Sequence, residues 1–132
     1  MILSDGMGCG KQASEQSITA IELMRQFLNA GFDKRTAVEM TNSTLMLKNS
    51  EVFATLDAAI IDMFTSKAEF IKAGANTTYI KTGGCIKKIS SDTLPIGIIS
   101  NSKAETNEYQ ARNGDIIILI SDGIHNATDD WF

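Results

Sequence analysis

The run Met1-Ile2-Leu3-Ser4-Asp5-Gly6-Met7-Gly8 and its echo Ile116-Ile117-Ile118-Leu119-Ile120-Ser121-Asp122-Gly123 decide how this chain is read. In both, an apolar stretch delivers the same tripeptide, Ser-Asp-Gly. Short apolar, β-branched runs of this kind read as strands. Each Asp then falls where a strand ends, at the rim of a sheet. Carboxylates from two strand ends can converge on one hard cation, and a Gly after each Asp lets a backbone carbonyl approach as well. Asp-Gly is also ordinary turn chemistry. One copy favours the turn, whereas two matched copies leave turn and metal site about evenly weighed.

Working outward, the glycines Gly6, Gly8 and Gly10 lead into a helical pattern over 11–29. Its apolar residues Ile18, Ile21, Met24 and Leu28 share one stripe, with Leu23 and Phe27 beside it. Ala30-Gly31 closes that helix, and Asp33 reads as the N-cap of a second one. Ala37, Met40, Thr41, Leu45 and Lys48 give the second helix one face, so 11–48 forms a helical hairpin. Strands follow over 52–62 and 68–73, joined by a turn at Thr65-Ser66-Lys67. A smaller hairpin spans 77–81 and 85–89 around Gly83-Gly84. Residues 105–110 suggest an edge strand. Asn113-Gly114 is a turn that launches a buried strand over 115–120, and a short helix begins near Ile124. Helices segregated from a run of antiparallel strands argue for an α+β layered fold over alternating βαβ units.

Composition narrows the function classes. With 132 residues, 43% hydrophobic and 21% charged, the chain can bury one core. A formal net charge of -4 argues against nucleic acid as a partner and against direct contact with an anionic membrane surface. Cys9 and Cys85 lie far apart, with neither a CxxC pair nor a His at ligand spacing, which argues against zinc. Two free thiols fit a reduced, cytoplasmic setting. The longest apolar run, 116–120, is far too short to span a bilayer, and nothing resembles a signal peptide. Cys85 and the six methionines are expected to fill the core. The abrupt apolar start and the terminal Trp131-Phe132 read as a segment truncated at both ends from a longer protein.

Three further signals compete for function. Gly8-Cys9-Gly10-Lys11-Gln12-Ala13 fits the dinucleotide pattern G-x-G-x-x-G/A, but that fold needs a second parallel strand after the helix, and here a second helix follows. The phosphate-binding P-loop fails because Gln12 stands where Ser or Thr is required. The glycines are better read as bringing a helix N-terminus, with its free N–H groups, towards the Asp5 rim. Cys9 at that helix start has no His base nearby and reads as a bystander. His125, the sole histidine, lies three residues after Asp122, and a general acid is weighed there against a plain surface residue. Asp57 in a strongly apolar strand has no account from the sequence.

Ser4-Asp5-Gly6-Met7-Gly8, with Gly10 and Ala13, resembles the start of the phosphatase domain in the sporulation stage II protein E family, part of the protein phosphatase 2C superfamily. Matches continue in order through Asn29-Ala30-Gly31-Phe32-Asp33, Phe53-Ala54-Thr55-Leu56-Asp57 and Ala68-Glu69-Phe70-Ile71-Lys72-Ala73-Gly74-Ala75. Leu94-Pro95-Ile96-Gly97-Ile98 and the run from Gly114-Asp115 to Gly123 complete the set. Each piece is short, but their order is specific and spans nearly the whole chain.

The resemblance implies an α+β fold, a protein phosphatase 2C-like β-sandwich flanked by helices, here truncated at both ends. It implies a hydrolase with two manganese or magnesium ions at one rim. Asp5 would bridge both ions, the Gly6 carbonyl would ligate one, and Asp122 would ligate the other. The substrate would be phosphoserine or phosphothreonine on a protein, in sporulation-type members an anti-sigma-factor antagonist. The hairpin 11–48 resembles the family's regulatory switch, with a homodimer through those helices left open. The parent would be cytoplasmic, with membrane tethering by upstream segments in sporulation-type members.

The departures also carry weight. The family has another Asp near its N-terminus and a third metal Asp near its C-terminus, and neither has a match within the chain. Gln16 stands where Glu is expected, and Asn76-Thr77 replaces a loop that commonly contains Pro. Weak metal binding and little activity are therefore expected of this segment by itself. The alternative is a catalytically degenerate phosphatase-like module that binds a phosphoprotein or partner. A nucleotide-binding domain is a remote third reading.

Overall fold

The computed structural model describes residues 1–48, 53–100 and 103–125. Val52, Trp131 and Phe132 lie outside the described residues. The elements are β1 (Ile2–Leu3), α1 (Gly10–Asn29), α2 (Lys34–Leu47), β2 (Leu56–Ile61), β3 (Lys67–Ala73), β4 (Thr78–Thr82), β5 (Cys85–Ile89), β6 (Glu105–Gln110), β7 (Ile116–Ile118) and α3 (Asp122–His125). They form two antiparallel sheets, ordered β1-β2-β3-β6 and β5-β4-β7.

The alternation of β2 and β3 explains the layering, because successive side chains leave a strand on opposite faces. Leu56, Ala58, Ile71 and Ala73 face the helices and pack with Ala20 and Met24 of α1 and Ala37, Val38 and Leu45 of α2. Ala59, Ala68 and Phe70 face the other way and pack with Ile80, Ile89 and Ile117 of the second sheet. The result is a two-sheet sandwich with a helical hairpin on one side, the α+β arrangement expected from the sequence.

Polar contacts fix the helices. Asp33 caps α2 by accepting a hydrogen bond from the Thr36 N–H at 3.1 Å. Lys34 reaches Glu69 of β3 at 2.6 Å. Buried Asn42 works in both directions: its Oδ1 accepts from the Gly97 N–H at 2.7 Å, and its Nδ2 donates to the Ile99 carbonyl at 3.0 Å. A segment with no strand of its own on that side is thereby held against α2.

Several expectations are corrected. Along α1 the buried stripe runs through Ala13, Gln16, Ala20 and Met24, while Ile18 is exposed. The close approach of α1 to the backbone at Gly6 suits an alanine at position 13. Lys48 is exposed, and Val38 and Asn42 complete the buried face of α2. The strand over 52–62 is regular only from Leu56 onward. Strand β7 is buried on one face only: Ile117 packs inward, while Ile116 and Ile118 leave the strand on the opposite face and stay exposed. Cys85 is exposed, following the β4–β5 turn at an edge strand. Of the methionines, only Met24 is fully buried, whereas Met1, Met7, Met46 and Met63 are exposed.

Asn42→Ala would leave the Gly97 N–H buried without an acceptor, and is expected to lower unfolding free energy by about 1–3 kcal/mol in urea denaturation. The Asp33 carboxyl is held below its ordinary value of 3.8, first by the Thr36 hydroxyl and then by the Thr36 N–H. A depressed folded pKa gives stability that is present above the unfolded value and lost as pH falls through the folded one. Asp33→Ala is therefore expected to lower the melting temperature at neutral pH, with the gap narrowing in acid.

Candidate metal centre

Asp5 is set by its backbone. The Asp5 N–H donates to Thr55 Oγ1 at 2.8 Å, and the Asp5 carbonyl accepts from the Thr55 N–H at 2.8 Å. Ser4 Oγ donates to the Thr55 carbonyl at 2.6 Å. Gly6 then bridges to Ala54, and the Met7 N–H bonds to the Phe53 carbonyl at 3.1 Å. The segment after β1 thus continues the pairing begun by Ile2 and Leu3.

Gly6 also explains how α1 comes so close to this rim. A Cβ built on Gly6 would lie 1.9 Å from the Ala13 carbonyl oxygen, so the first turn of α1 rests directly on the glycine backbone. The glycine cluster brings a helix start to the Asp5 rim, as the sequence implied. Gly74, at φ 60, makes a similar close approach across the cleft, where an added Cβ would meet Pro95 at 2.5 Å.

Asp122 arrives from the other sheet. Strand β7 pairs with β4 through Ile118 opposite Tyr79 and Ile117 opposite Ile80, and the chain runs on to Ser121 at the rim. There the Ile124 N–H bonds back to the Ser121 carbonyl at 3.2 Å and α3 begins. His125 ends α3.

The two Ser-Asp-Gly segments meet in a cleft of about 490 Å³ whose walls include Asp5, Gly6, Asp57, Asn76 and Asp122. The Asp5 carboxyl is raised above its ordinary value of 3.8, chiefly by burial. A side-chain hydrogen bond with Asp122 and repulsion from its charge add to this, while the Gly6 N–H opposes it. The side chains are thus within hydrogen-bonding reach. Two adjacent carboxylates, with no Lys or Arg among the described lining residues, suit a divalent cation, because hard cations favour oxygen ligands. Among the described residues no third His, Cys, Asp or Glu joins them in a metal-holding group.

Sequence reasoning missed the floor of this cleft. Asp57 and Lys72 face each other as cross-strand partners of β2 and β3, with Lys72 Nζ 2.8 Å from Asp57 Oδ2. Thr78 of β4 accepts from Lys72 at 2.8 Å and donates to Asp57 Oδ2 at 2.9 Å. All three are buried, and burial pushes the Lys72 pKa down against the opposing pull of Asp57. A lysine in Phe70-Ile71-Lys72-Ala73 and an aspartate in the preceding apolar strand were the available signal. Opposite charges in adjacent buried strands imply a pair.

Gly6→Ala would force the first turn of α1 off the rim. It is expected to cost about 1–3 kcal/mol or more in denaturant unfolding. It should also weaken manganese binding measured by calorimetry.

Comparison with known proteins accords with this geometry. The family model for stage II sporulation protein E (SpoIIE) matches residues 1–132. The chain is 38% identical over 123 residues to stage II sporulation protein E of Bacillus subtilis, covering 92% of this chain and 15% of that protein. It superposes with a TM-score of 0.87 and 35% identity on the PP2C phosphatase domain, with a fragment of the regulatory domain, of SpoIIE from Bacillus subtilis, covering 98% of this chain and 38% of that one. A manganese-presoaked form of the same phosphatase domain matches with a TM-score of 0.54 and 34% identity, covering 83% of this chain and 48% of that one. The expected protein phosphatase 2C-like fold is therefore present, over a minor part of the relative's length, and the chain belongs to the stage II sporulation protein E family.

Proposed function

We propose that this cleft is the active site of a metal-dependent serine/threonine phosphoprotein phosphatase, with residues 1–132 forming part of its catalytic domain. The observation that carries the reading is the meeting of Asp5, just beyond β1 of one sheet, and Asp122, just beyond β7 of the other, in a cleft whose described lining includes no Lys or Arg. Asp5 and Asp122 would hold manganese or magnesium, with the Gly6 carbonyl as a further ligand. A bound pair of such ions lowers the pKa of a shared water and polarises a phosphoryl oxygen.

The chain's own contribution is to position. Thr55 fixes the Asp5 backbone, and the close contact of Ala13 with Gly6 fixes the carbonyl beside it. Displacement of the hairpin 11–48 would be felt first at Gly6, which supports its assignment as a regulatory switch. The substrate would be phosphoserine or phosphothreonine on a protein, an anti-sigma-factor antagonist by family resemblance, in the cytoplasm.

One observation favours a second reading, a degenerate phosphatase-like module that binds a phosphoprotein without cleaving it. Among the described residues the metal-holding carboxylates number only two, Asp5 and Asp122.

Manganese titration by calorimetry separates the readings. Wild type is expected to bind weakly. Asp5→Asn and Asp122→Asn, which keep shape and remove charge, should each cost more than the roughly tenfold loss typical of an outer-shell change. Unchanged binding in both variants would place the cation elsewhere. Manganese binding without release of phosphate from a phosphoserine peptide by the full-length protein would favour the binding module.

A further inference from the structure

The buried ion pair beneath the cleft leaves one atom unexplained. Asp57 Oδ2 is fully engaged, with Lys72 at 2.8 Å and the Thr78 hydroxyl at 2.9 Å. Asp57 Oδ1 is buried and has no hydrogen-bond partner among the described residues. A carboxylate oxygen shut away from protein donors is costly, and such groups in native proteins are generally satisfied by something. If Asp57 served only to neutralise Lys72, both of its oxygens would be expected to find donors within the core.

Position says where the missing donor comes from. Asp57 lines the same cleft as Asp5 and Asp122. It pairs with Leu3, so its side chain leaves the sheet on the same face as that of Leu3, and Asp5 follows two residues later in the extended segment. Lys72 and Thr78 clamp Oδ2 from two directions, from β3 of one sheet and β4 of the other. The carboxylate therefore cannot turn without losing both contacts, and the remaining oxygen is held in one orientation in a residue that lines the cleft.

We infer that Asp57 is a positioning residue for the cation site: its Oδ1 accepts a hydrogen bond from a water that bridges it to the ion held at Asp5 and Asp122. This rests on the metal-site reading above. Outer-shell acceptors of this kind orient the groups bound to a metal and tune its affinity. A cleft of about 490 Å³ has room for such a water beside the ion. Lys72 makes the arrangement tolerable by balancing the charge of Asp57, so the floor adds an oriented acceptor and no net charge to the site.

The test is the double variant Asp57→Leu with Lys72→Met in the full-length protein, which removes both buried charges together and leaves no acceptor at position 57. Circular dichroism and thermal melting are expected to show a folded protein, while calorimetry shows manganese bound about tenfold or more weakly. A folded double variant with wild-type manganese affinity would overturn the inference and leave Asp57 as a counter-charge only. Should the double variant not fold, Thr78→Val frees the Asp57 carboxylate while keeping both charges. It is expected to weaken manganese binding, with recovery in Thr78→Ser, and an unchanged affinity in Thr78→Val would again overturn the inference. Asp5→Asn and Asp122→Asn run alongside keep the two readings apart. If those two variants weaken binding and the Asp57 and Thr78 variants do not, only the positioning role fails. If those two do not weaken it, the cation site itself is misplaced.

Discussion

Everything in this fold hangs on the strand that runs from Phe53 into β2. It is hydrogen-bonded along both edges, to β1 and its extension on one side and to β3 on the other, and Ala54 bridges both Gly6 and Ile96. Both faces are covered, one by the helices and one by the second sheet. A slip of one residue would exchange those faces. Leu56 and Ala58 would then meet the second sheet, and Asp57 would turn into the apolar layer beneath the helices. Asp57 would lose Lys72 and Thr78 at the same moment, leaving buried charges uncompensated, which is among the costliest changes available to a core. The ion pair is thus a condition on register as well as a contact.

The site inherits its precision from that strand. Asp5 has no regular element of its own. It is placed by Thr55, which bonds it through both backbone and hydroxyl, and Gly6 is placed by Ala54 on one side and Ala13 on the other. Asp122 opens α3 just beyond β7 of the other sheet, so its distance from Asp5 depends on how the sheets stack. Phe70 and Ile80 fill that interface, and Thr78 reaches across it to the Asp57–Lys72 pair. One layer contact therefore sets both the core and the cleft.

Much of this was legible in the sequence because it is local. The period of the helices, the Asp33 cap, the hairpins and the two Ser-Asp-Gly strand ends are all carried by residues close along the chain. What the sequence hid depends on packing partners. The buried line of α1 takes in Ala13, Gln16 and Ala20 as well as Met24, and hydropathy alone puts weight on Ile18 instead. The exposure of Ile116 and Ile118 follows from their lying on the face of the second sheet away from the core, and an unbroken apolar run does not say that one face is left uncovered. Asp57 looked anomalous because its partner sits on the next strand and its third contact on the other sheet.

Two carboxylates near the same cleft meet opposite fates, and the contrast clarifies what the rim is for. Asp57 is buried and receives an internal cation, Lys72, together with a hydroxyl. Asp5 is partly buried and beside a second carboxylate, and the lining of the cleft supplies neither Lys nor Arg to offset it. A fold able to bury a lysine opposite Asp57 has evidently no chemical obstacle to placing one opposite Asp5. Burial first, and then the neighbouring Asp122 carboxylate, raise the Asp5 pKa and disfavour its charged form in isolation. The same arrangement becomes favourable once a divalent ion occupies the rim, because each penalty on the paired anions becomes an attraction to the ion. The uncompensated pair is thus the feature of the cleft that an external cation resolves, and the balanced pair beneath it is what keeps the strand bearing that rim in register.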